Sequence, residues 1–445
     1  MQVNKIAILG AGISGLSFGY YLKKYHPQID FEIFEKDSRV GGVIDSEKKE
    51  DYVIEWGPRG IRPKGSGQVL LELVEDLGLW NELVFADNKA KKRYIYHDGS
   101  LQSLPHSIFS FLTSPYLKLF LKAISKDLKA KEKTEDETIA DFVDRHFGKE
   151  FRELFFDSLV SGIWAGDIEK MSLSAAFPLL KKLESGNGSI IKSLLTYRAT
   201  PLESKVYSKS VTSKALFSFR GGIQVLIDAL RDQLRGHINF GAQIESIDFN
   251  SKPSIAIDGK TNKFDHLIST IPAYALAKYV PNKLSSKLNN IKYSSVGVLN
   301  FKTLKANFDF DGFGFLVPSK EDSVVLGMVA NSNTFPEQFE SKFAINTVML
   351  GGARYTPDKL KSLDLIGESK CFLERVFGEN FFMEIESQRI IDKAIPQFNI
   401  GHLDLVSQIE ELAPRNLTIL GNYMYGVSLV DIVLKSKQSC KELIG

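Results

Sequence analysis

Three glycines, Gly10, Gly12 and Gly15, follow the apolar run Lys5-Ile6-Ala7-Ile8-Leu9, and an acid, Glu35, ends the next apolar run, Phe31-Glu32-Ile33-Phe34. Residues of these types in this order suit a dinucleotide. Gly10 permits a tight turn, Gly12 lets backbone approach a pyrophosphate, Gly15 lets a helix pack on its strand, and the helix N-terminus offers free N–H groups to phosphate. Ala11, Ile13 and Ser14 complete the turn. Glu35 falls near the separation of about 20 residues at which an acid takes a ribose hydroxyl. An acid there would repel a 2′-phosphate, which leaves FAD or NAD.

The residues that follow separate these two cofactors. Lys36 and then Arg39-Val40-Gly41-Gly42-Val43 place a glycine pair beyond the second strand, where backbone can pass close to a cofactor. Glu55-Trp56-Gly57-Pro58-Arg59-Gly60 supplies another tight turn. A simple nicotinamide domain needs neither, so FAD is the expected group. Near the far end, Leu417-Thr418-Ile419-Leu420-Gly421-Asn422 reads as a buried strand entering a loop, and Gly426-Val427-Ser428-Leu429-Val430 opens a terminal helix. That second helix N-terminus could face a phosphate or the edge of a flavin ring.

The elements that must position these residues are interleaved along the chain. At 445 residues the protein exceeds the size at which single cores split, so two or three lobes are expected. Residues 1–85 read as the first part of an FAD-binding domain and 213–285 and 393–445 as its second and third parts. The segment 86–107 reads as a hairpin, Arg93-Tyr94-Ile95-Tyr96 and Leu101-Gln102-Ser103-Leu104 around a glycine turn. Residues 108–212 are helical and aromatic-rich, and 286–392 alternate strands with one long helix. Ile268-Ser269-Thr270-Ile271-Pro272 reads as a strand edging the nucleotide domain.

Composition excludes several classes of function. A net charge of +2 gives no field that would gather nucleic acid. Cys371 and Cys440 stand far apart with no CxxC, and the seven histidines show no ligand spacing, so neither a disulfide framework nor a metal centre is expected. No charged leader precedes the first strand at about Val3, and the chain reads as cytoplasmic. Ile108 through Lys122 is the one segment suited to a membrane. Pro115, Lys118 and Lys122 interrupt it well short of the roughly 20 apolar residues that span a bilayer. It is read as a lobe helix packing its aromatic face inward, with peripheral docking on the cytoplasmic face as the alternative. Lys126 to Lys133, with Glu135-Asp136-Glu137 after it, reads as a solvated linker.

Beyond the FAD motifs, further segments carry a resemblance that runs almost the whole chain. They are Gly57-Pro58-Arg59-Gly60-Ile61-Arg62-Pro63, Ser161-Gly162-Ile163-Trp164-Ala165-Gly166-Asp167, Gly312-Phe313-Gly314-Phe315-Leu316-Val317-Pro318, Val348-Met349-Leu350-Gly351-Gly352, and Ala394-Ile395-Pro396-Gln397-Phe398 with Gly401-His402. In these segments the sequence resembles the FAD-dependent amine-oxidase-like superfamily and, within it, the oxygen-dependent protoporphyrinogen and coproporphyrinogen oxidase family. The resemblance implies a mixed α/β (α+β) fold, in which a Rossmann-like FAD-binding domain is interleaved with a strand-rich substrate domain and a helical, membrane-contacting lobe. It also implies a six-electron oxidation of a porphyrinogen, with O2 as acceptor and H2O2 as by-product, and it allows a homodimer.

The resemblance assigns substrate roles to five residues. Arg93 would hold a propionate, since a guanidinium fork suits a carboxylate, and Arg59 would orient cofactor or substrate or buttress its loop. Leu316 and Met349 would clamp the macrocycle, with backbone of Gly314 facing a pyrrole N–H. Some relatives carry Phe where Met349 stands, which exchanges ring stacking for a softer thioether contact. For FAD it carries over Gly10, Ala11, Gly12, Ile13, Ser14, Gly15, Glu35, Lys36, Arg39, Gly42, Val43, Gly57, Pro58, Arg59, Gly60, Ile244, Gly421, Val427, Ser428 and Leu429, with Ile244 acting through its backbone. No catalytic acid or base is assigned. Alternatives left open are a coproporphyrinogen III oxidase, an amine oxidase or desaturase on the same scaffold, and a flavin-binding protein without turnover.

Overall fold

The computed structural model describes residues 3–197 and 207–443. It divides into two compact units, one made of Met1–Phe85, Pro201–Ile291 and Asp404–Gly445 and the other of Ala86–Thr200 and Lys292–Leu403. The helical segment and the strand-rich segment thus share one unit, where the sequence reading treats them as separate lobes.

The first unit is built on a five-stranded parallel sheet in the order Leu417–Ile419, His266–Ser269, Lys5–Leu9, Asp30–Phe34, Ile238–Asn239. Strands covered on both faces need continuous apolar runs, and Ile6, Ala7, Ile8 and Leu9 are all fully buried. The helices Ile13–Tyr25, Gln224–Gln233 and Leu429–Glu442 pack together beside this sheet. Leu9, Phe34, Ser269 and Ile419 stand in one row across four strands, so the chain leaves the sheet at one level through Gly10, Glu35, Thr270 and Leu420. Ligands of open parallel sheets bind beyond such a row of carboxyl ends. The His266–Ser269 strand is interior rather than at the edge. The short Leu417–Ile419 strand pairs outside it and takes the edge position.

The second unit carries a seven-stranded sheet in the order Glu384–Gln397, Lys292–Leu304, Phe343–Gly351, Val325–Ala330, Gly314–Leu316, Tyr94–His97, Ser100–Ser103. The hairpin expected near residues 93–104 forms around Asp98 and Gly99, both at positive φ, which matches the twist of paired strands. Its first strand pairs parallel with Gly314–Leu316. Alternation divides the sheet cleanly. Leu299, Phe301, Phe315, Met328 and Val348 face an aromatic core shared with the helix Leu365–Phe377. The other face meets the helix Asp157–Trp164, where Gly162 lies so close to Leu316 that a Cβ would sit 2.6 Å from its Cδ2. A single π-helical turn, Arg152–Phe156, precedes that helix. Asp157 anchors it to the turn after the Gly314–Leu316 strand by accepting the N–H and hydroxyl of Ser319.

Two readings of the helical segment need correction. Residues 108–122 form two helices, Ile108–Leu112 and Leu117–Asp127, because the chain breaks at Ser114-Pro115. Only part of their apolar face turns inward. Phe120 stacks on Phe155 while Phe109 is 77% exposed, Leu112 60% and Leu121 53%. The charged run 126–137 is not a solvated linker either. Asp127 and Glu137 are buried, the first bonded to His146, Ser189 and the N–H groups of Ile190 and Ile191, the second paired with Arg145. Among the described residues no helix is long and apolar enough to cross a membrane.

Candidate cofactor and substrate sites

At the carboxyl end of the parallel sheet, the glycine turn is held in shape by its own neighbours. Gly10 adopts φ +96 and its N–H donates to the Phe34 carbonyl at 2.8 Å. A Cβ at Gly15 would lie 2.0 Å from the Gly10 carbonyl oxygen, so close helix–strand packing requires glycine there. Gly12 differs. A Cβ at Gly12 meets nothing nearer than the Gly41 carbonyl at 4.0 Å, so the space in front of the helix Ile13–Tyr25 is open. Ser14 ties that helix to the end of the last strand by donating to the Leu420 carbonyl at 2.8 Å.

Glu35 is buried and its carboxylate is already engaged. Oε2 accepts the Ala11 N–H at 2.7 Å and Oε1 accepts the Asp37 N–H at 3.1 Å. Each oxygen keeps a second lone pair for a hydroxyl. Arg39 braces the glycine-pair loop, donating to the carbonyls of Val40, Gly42 and Ile44. Lys36 is exposed and stands 3.7 Å from Asp37. The loop brings Gly41 against Ala11 and leaves Val43 61% exposed beside Gly42. Apolar surface shown at a loop tip next to an open cradle fits a group that covers it. Gly57 packs on that loop so tightly that a Cβ would lie 2.6 Å from the Val43 carbonyl oxygen.

Arg59 curls back on its own turn, donating to the carbonyls of Gly57 and Glu55, while its Nε is buried without a partner. Burial lowers its pKa to about 10. Gly421 and Ser428 frame the far end, where Ser428 caps the helix Leu429–Glu442 by accepting the Asp431 N–H and Val427 precedes it. Ile244 lies in a separate three-stranded sheet, and its carbonyl accepts the Tyr279 hydroxyl at 3.0 Å. The open space at Gly12, the exposed Val43 and the orphaned Arg59 Nε fit a bound flavin dinucleotide.

A sequence-family model described as flavin-containing amine oxidoreductase matches residues 13–366. The chain belongs to that family. Its cofactor is FAD, and it is a flavin-dependent oxidoreductase. It is 33% identical to a protoporphyrinogen oxidase of Bos taurus, over 99% of this chain and 98% of the relative. It is 26% identical to a coproporphyrinogen III oxidase of Staphylococcus aureus, over 100% and 99%. A solved structure from Exiguobacterium sp., carrying a provisional protoporphyrinogen oxidase name, superposes with TM-score 0.82 at 20% identity, covering 100% of this chain and 99% of the other.

The substrate-side residues expected for this flavin oxidoreductase fall mainly in the second unit. Alternation places Gly314, Leu316, Gly327, Val329 and Met349 on one face of the seven-stranded sheet, opposite the aromatic core. Gly314 has no room for a side chain, because a Cβ would lie 2.0 Å from the Met328 carbonyl oxygen. Arg93 sits just before the hairpin's first strand, with its guanidinium 4.8 Å from the centre of the Phe313 ring. The structure therefore places Gly314, Leu316 and Met349 on one face, with Arg93 just before the neighbouring strand and against Phe313. Arg59 belongs to the first unit. Sequence reasoning missed Glu55, Ser46 and the Gly222–Gln224 segment beside the 57–60 turn. The one signal was the position of Glu55 immediately before the turn.

Proposed function

We propose that this flavin oxidoreductase dehydrogenates protoporphyrinogen IX to protoporphyrin IX, losing six hydrogens in three two-electron cycles, with three O2 reduced to three H2O2. When bound, FAD supplies the two-electron acceptor that each cycle requires. The observation that carries the reading is the shared face of Gly314, Leu316 and Met349 with Arg93 beside it. That surface has an apolar platform for a macrocycle and one cation at its margin for a propionate.

The chain's residues then act by position. Leu316 and Met349 lie against the apolar macrocycle, and the bare backbone of Gly314 lets it approach. Arg93, steadied on Phe313, fixes the carboxylate end. Gly10 through Gly15, the Gly41–Val43 loop, Gly57 through Gly60 and the start of the Leu429–Glu442 helix hold FAD, with Glu35 on its ribose. The coproporphyrinogen relative supports a second reading, in which the same face takes the four-propionate ring. Growth of porphyrin fluorescence in air, with freshly reduced protoporphyrinogen IX or coproporphyrinogen III, tests both. Faster protoporphyrin formation supports the first reading, faster coproporphyrin formation the second, and silence on both overturns the assignment.

We also propose that the exposed Phe109, Leu112 and Leu121, bordered by Lys118 and Lys122, dock the protein on an anionic membrane surface.

A further inference from the structure

Glu55 ends the strand Val53–Glu55 and is buried, yet no role in holding FAD or substrate uses it. Its Oε1 accepts the Ile223 N–H at 2.8 Å and its Oε2 accepts the Ser46 hydroxyl at 2.6 Å. The Ser46 oxygen in turn accepts the Gln224 N–H at 3.0 Å. The backbone carbonyl of Glu55 receives Arg59 Nη2 at 3.1 Å. One carboxylate therefore joins the strand after the glycine pair to the first residues of the helix Gln224–Gln233, and its backbone carries the turn. Gly222, at φ +84, makes this approach feasible, because a Cβ there would lie 2.8 Å from Glu55 Oε1. The same helix reaches the glycine pair, since a Cβ at Gly41 would meet Ile227 at 3.3 Å and Gln224 at 3.5 Å.

We infer that Glu55 is the positioning residue of the FAD cradle: its buried carboxyl, as the neutral acid, locks the 57–60 turn, the Ser46 strand and the Gln224–Gln233 helix together, and ionisation loosens that lock. This rests on the placement of FAD proposed above. The neutral acid keeps both partners, since Oε1 still accepts the Ile223 N–H and the Ser46 hydroxyl, which can donate or accept, takes the proton on Oε2. Among charged neighbours, Arg59 of the turn favours the ionised form and Asp45 opposes it. The helix contributes only its N–H donors, its Asp228 being held by Gln224 and Arg231. Burial is the largest influence and pushes the carboxyl up to about 7. The lock therefore changes state near neutral pH.

The test is the FAD dissociation constant of the reconstituted full chain, read by flavin fluorescence between about pH 5.5 and 8.5, for wild type, Glu55→Gln and Ser46→Ala. Wild type is expected to bind about tenfold more weakly at the alkaline end, with a midpoint near the Glu55 value. Glu55→Gln is expected to lose the step, and Ser46→Ala, lacking one donor to the carboxylate, to shift the midpoint upward. A buried carboxyl with a raised pKa stabilises the fold below its ordinary value and withdraws that stability as pH rises, and the weaker FAD binding expected toward alkaline pH follows that sign. A flat wild-type profile, or a step that survives in Glu55→Gln, overturns the inference while leaving the FAD placement intact. No FAD binding at the acid end overturns both.

Discussion

At the scale of single residues, Gly12 and Gly15 should fail in different ways although one motif contains both. A valine at position 12 enters open space, so the apo fold is expected to keep its thermal midpoint while FAD is lost. A valine at position 15 collides with the Gly10 carbonyl and costs about 1–3 kcal/mol or more, so the apo midpoint itself should fall. Melting of both variants beside their flavin absorbance separates the two. A purified Gly12→Val protein with full flavin would remove the placement of the pyrophosphate. Arg93→Ala is expected to raise KM for the porphyrinogen about tenfold or more, the loss of a charge-assisted hydrogen bond worth about 1.5–3 kcal/mol, with flavin content unchanged. An unchanged KM would take the propionate away from Arg93. These glycines were legible in sequence because backbone geometry leaves no other residue type. Glu55 was not, since its partners Ser46 and Ile223 become neighbours only through the fold.

At the scale of elements, legibility followed the range of the interaction that shapes each one. The helix Ile13–Tyr25 and the Asp98-Gly99 hairpin are set by neighbours in sequence, and both stand where the pattern puts them. The charged run after Lys126 misled because its carboxylates find partners far along the chain. Asp127 receives the Ser189 hydroxyl at 2.6 Å and two N–H groups of the helix Ile190–Thr196, and it holds His146 Nδ1 at 2.7 Å. Burial pushes this carboxyl up, but the bonds from Ser189, Ile191, His146 and Ile190 outweigh it and hold the group below its ordinary 3.8. A depressed carboxyl stabilises the fold above its unfolded pKa, and that contribution is lost as pH falls through the native value. Asp127→Ala leaves a buried histidine and a helix start without their acceptor, and is expected to cost about 3 kcal/mol. Proteolysis of the helical segment should accelerate while FAD retention, a property proposed for the other unit, stays level. Equal protease resistance in the variant would mean that the helices hold without this cap.

At the scale of the whole molecule, the chain passes three times through the unit proposed to hold FAD and twice through the other. The glycine motifs at both ends of the sequence read as parts of one unit. The union of the helical and strand-rich segments was not legible, because it depends on Gly162 meeting Leu316 and Asp157 meeting Ser319 across more than a hundred residues. The same reasoning bears on how the molecule meets a membrane. A net charge of +2 spread over 445 residues gives no long-range pull toward an anionic surface, so attachment must be local. Phe109, Leu112 and Leu121 supply apolar area, and Lys118 and Lys122 each add about 1 kcal/mol of attraction at low salt. Flotation with anionic vesicles should therefore carry the full chain upward at low salt. The double change Lys118→Glu with Lys122→Glu should weaken recovery mainly at low salt, because screening already removes the lysine contribution at high salt. Phe109→Ser with Leu121→Ser should weaken it at both, since burial of apolar surface is not screened. Wild-type protein that stays at the bottom of the gradient at low salt would leave the exposed residues without a bilayer to enter.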